Sequence, residues 1–535
     1  EDLRDLTSKL LPDYMQPSQI IVLAEFPLTL NGKIDRKALP TPEGREGMEE
    51  YQAPEGELEE KLAAIWSELL NIEKISRNDN FFSLGGDSII SIQLVSRAKL
   101  QGIHFKVKQI FETPTIQGLV ANSKRSEIQI IPQNLIKGTV GLLPIQSWFF
   151  KQKLYNINHY NQATWFIPKN YLSTLEKDKL KKRLNEIYQL HDTLRLRYTH
   201  DGLQYYHEDN SFEWQEVKLT NWDIIKDCTE AQKSLDIVNG PLSRTIWFES
   251  EEKQGLFWVA HHLIVDGVSW RILLDDLNAE QLAPKTYSYQ SFVEYTKNFD
   301  LTKTIEYYQN KEAKPMKKGY DLKIGEEIRQ HNIAVSLDHK YTDSFVRKVH
   351  ASYNTQFNDL LLTSLILSIN ECTNQQSVWI DLEGHGREGD IDISRTLGWF
   401  TSVYPVYLEI IDPQDLAGCI KTVKELLRKI PDKGIGYGLA QHKLPNVHQG
   451  TIAFNYLGQW DAGTQRGDYD YVFGDLPTGP VYDKKNYLNY ALSINGIIRE
   501  DHLRFNFTHT QEFTKNTVKA IAHGFKDNLE RLIDH

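Results

Sequence analysis

The sequence predicts a multidomain protein in which a small all-α unit precedes a large α/β unit. The chain has 535 residues, which exceeds one ordinary core and suggests roughly three or four domains. Apolar residues recur at helical spacing between residues 52 and 125, whereas helical and strand patterns alternate later in the chain. Because a single core rarely grows beyond about 250–300 residues, we expect the large unit to form two lobes with a cleft between them.

Three composition zones divide the chain. Residues 1–45 end in a Pro- and Gly-rich polar linker, which indicates a domain boundary. We place the small helical unit at residues 52–125 and the large unit at residues 139–535. Within the large unit we expect an N-lobe over about residues 139–300 and a C-lobe over about residues 301–535.

Local patterns predict the main elements of both units. In the small unit, a second helix follows Ser88, with Ile89, Ile92 and Val95 on one side, and a third begins near Thr113. The apolar stripe that predicts the first helix consists of Leu58, Leu62, Ile65, Trp66, Leu69 and Leu70. For the large unit we predict helices over Ser173–His191 and Val268–Leu277, and strands over Leu256–Ala260, Val378–Leu382 and Val403–Ile410.

Composition and charge exclude several classes of function. The net charge is −11, from 61 basic and 72 acidic residues, which disfavours nucleic acid or an anionic membrane as the main partner. The cysteines Cys228, Cys372 and Cys419 lie far apart, as expected of reduced thiols in the cytoplasm. The longest apolar run, residues 360–369, is too short to span a membrane. No signal-peptide pattern precedes the first zone, and the chain opens within a motif, so we expect a cytoplasmic piece of a longer protein.

The most informative residue of the small unit is Ser88. The run Gly85-Gly86-Asp87-Ser88 predicts a tight turn that enters a helix, with Asp87 or Ser88 as the helix cap. The full stretch from Asp79 to Ile90 closely resembles the attachment site of the peptidyl carrier domain of nonribosomal peptide synthetases. This resemblance implies a four-helix bundle that carries a 4′-phosphopantetheine arm on Ser88. It also implies two partners, a phosphopantetheinyl transferase and a tethered aminoacyl or peptidyl thioester.

The first zone resembles the end of the adenylation domain of the same enzymes, through the stretch from Pro27 to Arg36. In that family the lysine that matches Lys33 contacts the acyl-adenylate. Because only the last few dozen residues of such a domain are present, we expect no adenylation by this chain. The resemblance implies an upstream adenylation domain as a partner.

The strongest cluster of the large unit is the run from His261 to Trp270, which contains His261, His262 and Asp266. It joins a predicted strand to a predicted helix, and such loops commonly carry catalytic groups. A histidine titrates near neutrality and can transfer protons. A single histidine here is more often a packed core residue, and a pair could also bind a metal. Because no further ligand has a recognisable metal spacing, we predict no metal site.

This cluster closely resembles the His-His-x-x-x-Asp-Gly signature of the condensation superfamily, whose fold is like that of chloramphenicol acetyltransferase. By that resemblance His262 faces the reaction centre, while His261 and Asp266 support it. Further stretches are similar to those of epimerization domains in this superfamily. They are Pro144–Phe149, Glu383–Glu388 with Arg387, Arg395–Thr401, Tyr404–Val406, Pro431–Gly438 and Phe454–Gln459 with Asn455. The stretch His191–Arg195 resembles a motif of the whole superfamily, which implies a scaffold role.

These residues predict an isomerase that inverts the Cα of a carrier-bound thioester. Inversion requires proton removal on one face of a planar enolate and proton return on the other. We expect Glu383 and His262 to form this acid/base pair, with Tyr456 as an accessory donor, and a condensation domain downstream as a partner. Which of the two removes the proton from the L form stays open. The alternatives are a condensation domain that forms peptide bonds, a dual condensation/epimerization domain, and a condensation-like module that only recruits a partner.

Overall fold

The structure is a computed structural model in which most of the chain is described. It covers residues 51–123, 131–152, 154–208, 212–309, 331–444, 450–460, 470–486, 490–510 and 512–535, together with Pro27 and Ala462. The predicted adenylation-domain tail, including Lys33, therefore lies outside the described residues, except for Pro27.

The small unit is a bundle of four helices, as predicted. They are α1 (Gly56–Leu70), α2 (Ser88–Leu100), α3 (Val107–Glu112) and α4 (Ile116–Ser123). Its core surrounds the buried Trp66, which packs edge-to-face on Phe81 with 4.9 Å between the ring centroids. The side of α2 that carries three apolar residues serves two cores: Val95 packs inside the bundle, whereas Ile92 is buried in the core of the large unit. The bundle is therefore docked on its neighbour through α2.

The first lobe of the large unit contains a five-stranded sheet and a small three-stranded sheet. Its helices are α5 (Pro144–Lys151), α6 (Thr174–Leu190), α7 (Ile225–Lys233), α8 (Gly267–Asn278) and α9 (Tyr289–Lys297). The next helix, α10 (Thr302–Gln309), packs against the core of the second lobe. Its strands are β1 (Gly138–Val140), β2 (Asn161–Pro168), β3 (Leu196–Tyr198), β4 (Gln204–Tyr206), β5 (Gln215–Lys218), β6 (Ser243–Glu249) and β7 (Gln254–His261). The central strand β7 is buried along its whole length, which fits its apolar run.

The second lobe is built on a six-stranded sheet of order β10-β9-β11-β13-β14-β8. Its helices are α11 (His339–Arg347), α12 (Val349–Tyr353), α13 (Phe357–Thr373), α14 (Leu416–Arg428), α15 (Ile435–Ala440) and α16 (Lys515–Asp534). Its strands are β8 (His331–Ser336), β9 (Ser377–Gly384), β10 (Ser402–Glu409), β11 (Ile452–Gln459), β13 (Leu492–Arg499) and β14 (His502–His509). The predicted strands at β7, β9 and β10 and the predicted helices at α6 and α8 are confirmed.

The two lobes exchange segments. Strand β12 (Tyr471–Gly474) comes late in the chain, yet it pairs antiparallel with β2 in the first sheet, whose order is β12-β2-β7-β6-β5. Residues 393–400, between β9 and β10, also pack into the core of the first lobe. The ends of β7 and β9 consequently meet between the lobes. No described helix combines the length and the apolar character that crossing a membrane requires.

Candidate active site

Ser88 is the first residue of α2 and opens into a cavity. The carboxylate of Asp87 caps the helix by accepting hydrogen bonds from the backbone N–H groups of Ile89 (2.8 Å) and Ile90 (2.7 Å). The predicted cap is therefore Asp87, which leaves the hydroxyl of Ser88 partly exposed. The preceding Gly85 has φ of +98°, and a Cβ there would lie 2.6 Å from the side chain of Val346 in the second lobe. The turn before Ser88 thus needs glycine both for its backbone and for its close approach to the large unit.

The cavity at Ser88 has a volume of about 290 Å³ and lies between the carrier bundle and the large unit. The bundle contributes Phe82, Ser88 and Phe111 to its lining. From the candidate residues of the large unit, Asp266, Glu383, Asn455 and Tyr456 line the same cavity. One cavity therefore connects Ser88 of the small unit with a carboxylate of the large unit.

Glu383 lies near the end of β9. Neighbouring strand β11 runs parallel to β9, with Phe454 opposite Leu382, and the side-chain amide of Asn455 donates a 2.8 Å hydrogen bond to Oε2 of Glu383. Burial, and secondly the charge of Asp381, raise the pKa of Glu383 to about 7. A carboxyl group in this state can both take and return a proton near neutral pH.

The hydroxyl of Tyr456 faces the same cavity. It is buried and has no hydrogen-bond partner among the described residues. Burial raises the pKa of Tyr456 well above its ordinary value, so the group stays protonated at neutral pH. A buried hydroxyl without a partner is costly, and its position suggests a bound molecule as the partner.

The two histidines at the end of β7 have different environments. The ring of His261 is fully buried, donates from Nε2 to the carbonyl of Ile157 at 2.9 Å, and has a pKa that burial lowers to about 3. His262 remains partly exposed, and its Nδ1 lies 2.9 Å from the carbonyl oxygen of Val265. That contact requires a proton on Nδ1 and leaves the lone pair on Nε2. His261 is consequently a packed, neutral support residue.

The lone pair on Nε2 of His262 accepts a hydrogen bond from the side-chain amide of Gln162. Gln162 Nε2 lies 2.9 Å from His262 Nε2, and the indole N–H of Trp270 donates to Gln162 Oε1 at 2.8 Å, which fixes the amide orientation. The ring of Trp399 packs on the imidazole with 4.1 Å between centroids. Burial lowers the pKa of His262. The imidazole is therefore neutral, as a proton acceptor must be.

Asp266 and Arg387 form a buried ion pair that joins the two lobes. Arg387 Nη2 donates to both carboxylate oxygens of Asp266, at 3.0 and 3.1 Å, and the side chains are 1 % and 5 % exposed. Asp266 also caps α8 by accepting from the backbone N–H of Ser269. The guanidinium of Arg387 lies 4.3 Å from the ring centroid of Phe400. This pair aligns the loop after β9 with the start of α8.

The structure brings most but not all predicted site residues to one cavity. Ser88, Asp266, Glu383, Asn455 and Tyr456 line it. His261, His262 and Arg387 do not line it. Behind it, His262 stacks near Tyr160, with 5.9 Å between the ring centroids, and the charge of Glu383 contributes to the raised pKa of Tyr160. Tyr160 is thus close to both groups of the predicted acid/base pair.

Sequence reasoning missed Tyr160, Gln162 and Asp381. Tyr160 and Gln162 follow no motif, and only the pairing of β2 with β7 brings them beside the histidines. Asp381 could have been found, because it precedes Glu383 by two residues on a strand and so shares its face.

Ion pairs and hydrogen bonds hold the bundle on the large unit. Carrier cations meet acids of the large unit in three pairs: Arg97 with Asp275 at 3.1 Å, Lys99 with Asp392 at 2.8 Å, and Lys106 with Asp390 at 3.2 Å. The side-chain amide of Gln459 also donates to the carbonyl of Gly85 at 3.0 Å. This docking directs Ser88 toward the cavity.

The residues around Ser88 fit a phosphopantetheine arm. The serine hydroxyl is at the start of a helix, partly exposed, and next to a cavity long enough to include Glu383. Arg271, His385 and Lys433 supply basic side chains along the lining, which suits a phosphodiester. In the described parts of the chain, no cluster of three or more His, Cys, Asp or Glu side chains is arranged to hold a metal ion.

Comparison with known families assigns both units. Residues 136–535 match the model of the condensation domain, and residues 60–122 match the phosphopantetheine attachment site. The small unit is therefore a carrier domain that provides the attachment site of the 4′-phosphopantetheine cofactor.

Curated relatives are peptide synthetases of bacilli. The chain is 35 % identical to surfactin synthase subunit 1 of Bacillus subtilis (strain 168), with 100 % of this chain and 16 % of that protein aligned. It is 35 % identical to gramicidin S synthase 1 of Brevibacillus brevis, with 100 % of this chain and 53 % of that protein aligned. The chain thus spans between about a sixth and about half of the length of these two relatives.

Among solved structures, the epimerization domain from the third module of tyrocidine synthetase B is similar, with a TM-score of 0.69 and 28 % identity. The match covers 76 % of this chain and 99 % of that domain. The multidomain architecture is confirmed, with an all-α carrier followed by a large α/β condensation-type unit. The chain belongs to the condensation-domain family of nonribosomal peptide synthetases and carries a phosphopantetheine carrier domain ahead of its condensation-type domain.

Proposed function

We propose that this chain epimerises the Cα of an aminoacyl or peptidyl thioester held on its own carrier domain. The observation that carries the proposal is the cavity shared by Ser88 and Glu383, in which the carboxyl group has a pKa of about 7. Similarity to the epimerization domain from tyrocidine synthetase B supports the same activity. Holding the substrate on the same chain raises its effective concentration, so that a modest docking surface suffices.

The arm on Ser88 supplies a thiol that holds the substrate as a thioester, in which the Cα–H is more acidic than in an amide. Glu383 takes the Cα proton, and the C–H electron pair moves into the enolate of the substrate. Asn455 holds the carboxylate in position through Oε2. Burial raises the pKa of Glu383, so its carboxylate is a stronger base than that of an exposed glutamate.

A second group must act on the opposite face. His262 is neutral with its lone pair on Nε2. Once Gln162 releases that nitrogen, His262 takes the Cα proton in one direction while neutral Glu383 returns a proton to the other face. In the reverse direction ionised Glu383 takes the proton and the imidazolium of His262 returns one. Tyr456 remains protonated in the cavity and donates a hydrogen bond to the enolate oxygen. The first backbone N–H groups of α8, at Gly267 and Val268, line the same cavity and contribute further positive potential.

Peptide-bond formation is the competing activity, because the cluster of His261, His262 and Asp266 is shared by condensation domains. It forms a C–N bond to an acceptor amine, whereas epimerisation needs only the loaded carrier. The experiment attaches an L-aminoacyl or an L-peptidyl phosphopantetheine arm to the free hydroxyl of Ser88 in the full chain, and then follows the Cα position in D₂O without any acceptor carrier.

Deuterium uptake together with a D/L mixture supports epimerisation. Glu383→Gln should reduce uptake by at least about 100-fold, because acid/base groups contribute about 10²–10⁴-fold. The matched control is Glu409→Gln, an exposed carboxylate at the far end of β10. Retention of pure L configuration without deuterium would refute the proposal and favour ligation.

A further inference from the structure

A second cavity adjoins the catalytic one on the side away from the carrier. Its volume is about 370 Å³, and none of the described carrier residues, 51–123, lines it. It shares four lining residues with the cavity at Ser88, namely Gly386, Thr401, Ser402 and Tyr404. A molecule that enters from Ser88 and reacts at Glu383 therefore has further space beyond the reacting carbon.

The lining of the second cavity mixes apolar walls with hydrogen-bonding groups. Trp148, Phe400, Ile435 and Tyr437 are among its aromatic and aliphatic residues, while Gln152, Thr296 and Gln441 provide amide and hydroxyl groups. This combination suits a peptide, whose apolar side chains and backbone amides need both kinds of contact. The volume lies in the range of about 300–1,000 Å³ that accommodates drug-sized ligands, which is more than one small side chain fills.

The cavity is also open to solvent. Lys151, at the end of α5, belongs to its lining and is exposed, and Leu439 and Gln441 are partly exposed. A pocket for one amino-acid side chain needs a closed end, whereas an open end lets a longer chain continue outward.

Charge argues against a free α-ammonium group at the reaction site. Among the described residues that line the two cavities, each carboxylate besides Glu383 has at least one charged or hydrogen-bonding partner, although Oδ2 of Asp87 is buried without one. Asp381 accepts from the backbone of Gly450 (2.8 Å) and from the hydroxyl of Tyr490 (3.0 Å). The others are Asp87 with the α2 N-terminus, Asp266 with Arg387, Asp359 with Arg428, and Glu388 with His385 and Lys433.

An aminoacyl thioester would thus bring a cation to the reaction site, where Glu383, the proposed base, has a neutral amide as its hydrogen-bond partner and is available to pair with that cation. Pairing with that cation would lower the basicity of Glu383 and oppose its function. An N-acylated residue is neutral and avoids this cost.

We propose that the second cavity binds the residue that precedes the reacting one, so that the natural substrate is a peptidyl rather than an aminoacyl thioester. This inference rests on the proposed epimerisation. It assigns the cavity between α5, α9 and α15 as a binding site for the acyl chain on the amino side of the reacting carbon.

The test compares three substrates on the full holo chain: L-alanyl, L-phenylalanyl and L-phenylalanyl-L-alanyl pantetheine. Single-turnover deuterium uptake at the reacting Cα is measured for each. We expect the dipeptidyl substrate to exchange at least about tenfold faster than the alanyl substrate, because contacts remote from the reacting centre contribute to the rate.

Leu439→Trp, which fills the second cavity, should abolish the dipeptidyl advantage, measured as the ratio of dipeptidyl to alanyl exchange within the same variant. Leu175→Trp, at an exposed leucine of α6, is the matched control and should leave that ratio as in the wild type. Retained alanyl exchange shows that the Leu439→Trp protein is folded.

Each other outcome is decisive. The inference is wrong if the L-phenylalanyl substrate exchanges faster than the alanyl substrate and loses that advantage in Leu439→Trp, while the dipeptidyl substrate shows neither effect. The cavity would then be a pocket for the side chain of the reacting residue. Equal rates for all three substrates, in the wild type and in both variants, also refute it while leaving epimerisation intact. Exchange with none of the three overturns the proposed function, and the inference falls with it.

Discussion

Two acids of the large domain have opposite surroundings, because Asp266 is buried whereas Glu383 is only partly buried. Asp266 accepts from both the guanidinium of Arg387 and the start of α8, so its charge is balanced. Glu383 has one amide donor, Asn455, among the hydrogen bonds that the structure gives it, and another acid, Asp381, stands two residues before it on the same strand face.

The difference separates a structural acid from a reactive one. A buried carboxylate with a cation and backbone donors stabilises its surroundings only while it keeps them. A partly buried carboxyl group with one neutral donor and an acidic neighbour has a raised pKa, here about 7, and can exchange protons at physiological pH. Motif membership alone does not distinguish the two, whereas their partners do.

The largest expected effect is on stability. Asp266→Asn leaves the guanidinium of Arg387, which is 1 % exposed, without its counter-charge. We expect a loss of about 3–5 kcal/mol in the free energy of unfolding, as for other buried pairs that lose one partner. Denaturant unfolding followed by tryptophan fluorescence measures it. The double change Asp266→Leu with Arg387→Met is the control and should cost less than Asp266→Asn alone, since it leaves no unpaired charge.

Glu383→Gln should increase the free energy of unfolding in the same denaturant assay, in contrast to Asp266→Asn. The folded-state pKa of Glu383 is raised to about 7 from 4.5, so the native state binds the proton more strongly than the unfolded state. Its contribution to stability is therefore present below pH 4.5 and is lost as pH rises through about 7. Relative to wild type, Glu383→Gln should gain stability between pH 5 and pH 8. A stability loss that is independent of pH would place Glu383 with Asp266 as a structural acid.

The pH dependence of exchange is a finer test. If Glu383 must be ionised to take the proton, single-turnover exchange rises with pH through about 7. Asp381 raises that pKa by its charge, so Asp381→Asn should move the rise to lower pH. Glu409→Gln, at the opposite end of the strand pair, should leave the profile in place. An unchanged pH profile of exchange in Asp381→Asn would show that the charge of Asp381 does not affect the pKa of Glu383.

Much of the fold followed from sequence patterns. The apolar run of β7 predicted a buried strand, and all of its residues are buried. Spacing and turn chemistry predicted three helices of the bundle and a cap at Asp87 or Ser88, of which the structure selects Asp87, whereas the short helix α3 followed from no pattern. Strand β12 could not be predicted as a partner of β2, because the pairing joins residues about 300 positions apart and no local pattern records it.

The candidate site was predictable in its chemistry more than in its geometry. Motifs pointed to Ser88, Glu383, Asn455 and Tyr456, which the structure brings to one cavity. The amide of Gln162 on His262 was not predictable, because it depends on which face of β2 meets β7 and on the indole of Trp270. Whether His262 acts opposite Glu383 stays a prediction.

The ion pairs between the carrier bundle and the large unit are more exposed to solvent than the pair of Asp266 and Arg387. Asp275 and Arg97 are 16 % and 13 % exposed, whereas Asp390 and Lys106 are 75 % and 55 % exposed. Neither pair has the burial of Asp266 with Arg387, and exposed pairs contribute about 0–1 kcal/mol. Carrier docking should therefore depend on the sum of several weak contacts, of which the Arg97 pair is the least exposed to solvent.

The smallest expected effect is a charge exchange at this face. Arg97→Glu should slow single-turnover exchange by about two- to fivefold at low salt, because it places two acids together. Arg97→Glu combined with Asp275→Arg should recover part of that loss, and 1 M salt should shrink the difference, since the screening length falls to about 3 Å. Lys106→Glu is the matched control and should change the rate less, because both members of its pair are exposed. If the double variant is no faster than the single one, Arg97 acts through Glu68 inside the bundle, with which it also pairs at 3.3 Å, rather than through docking.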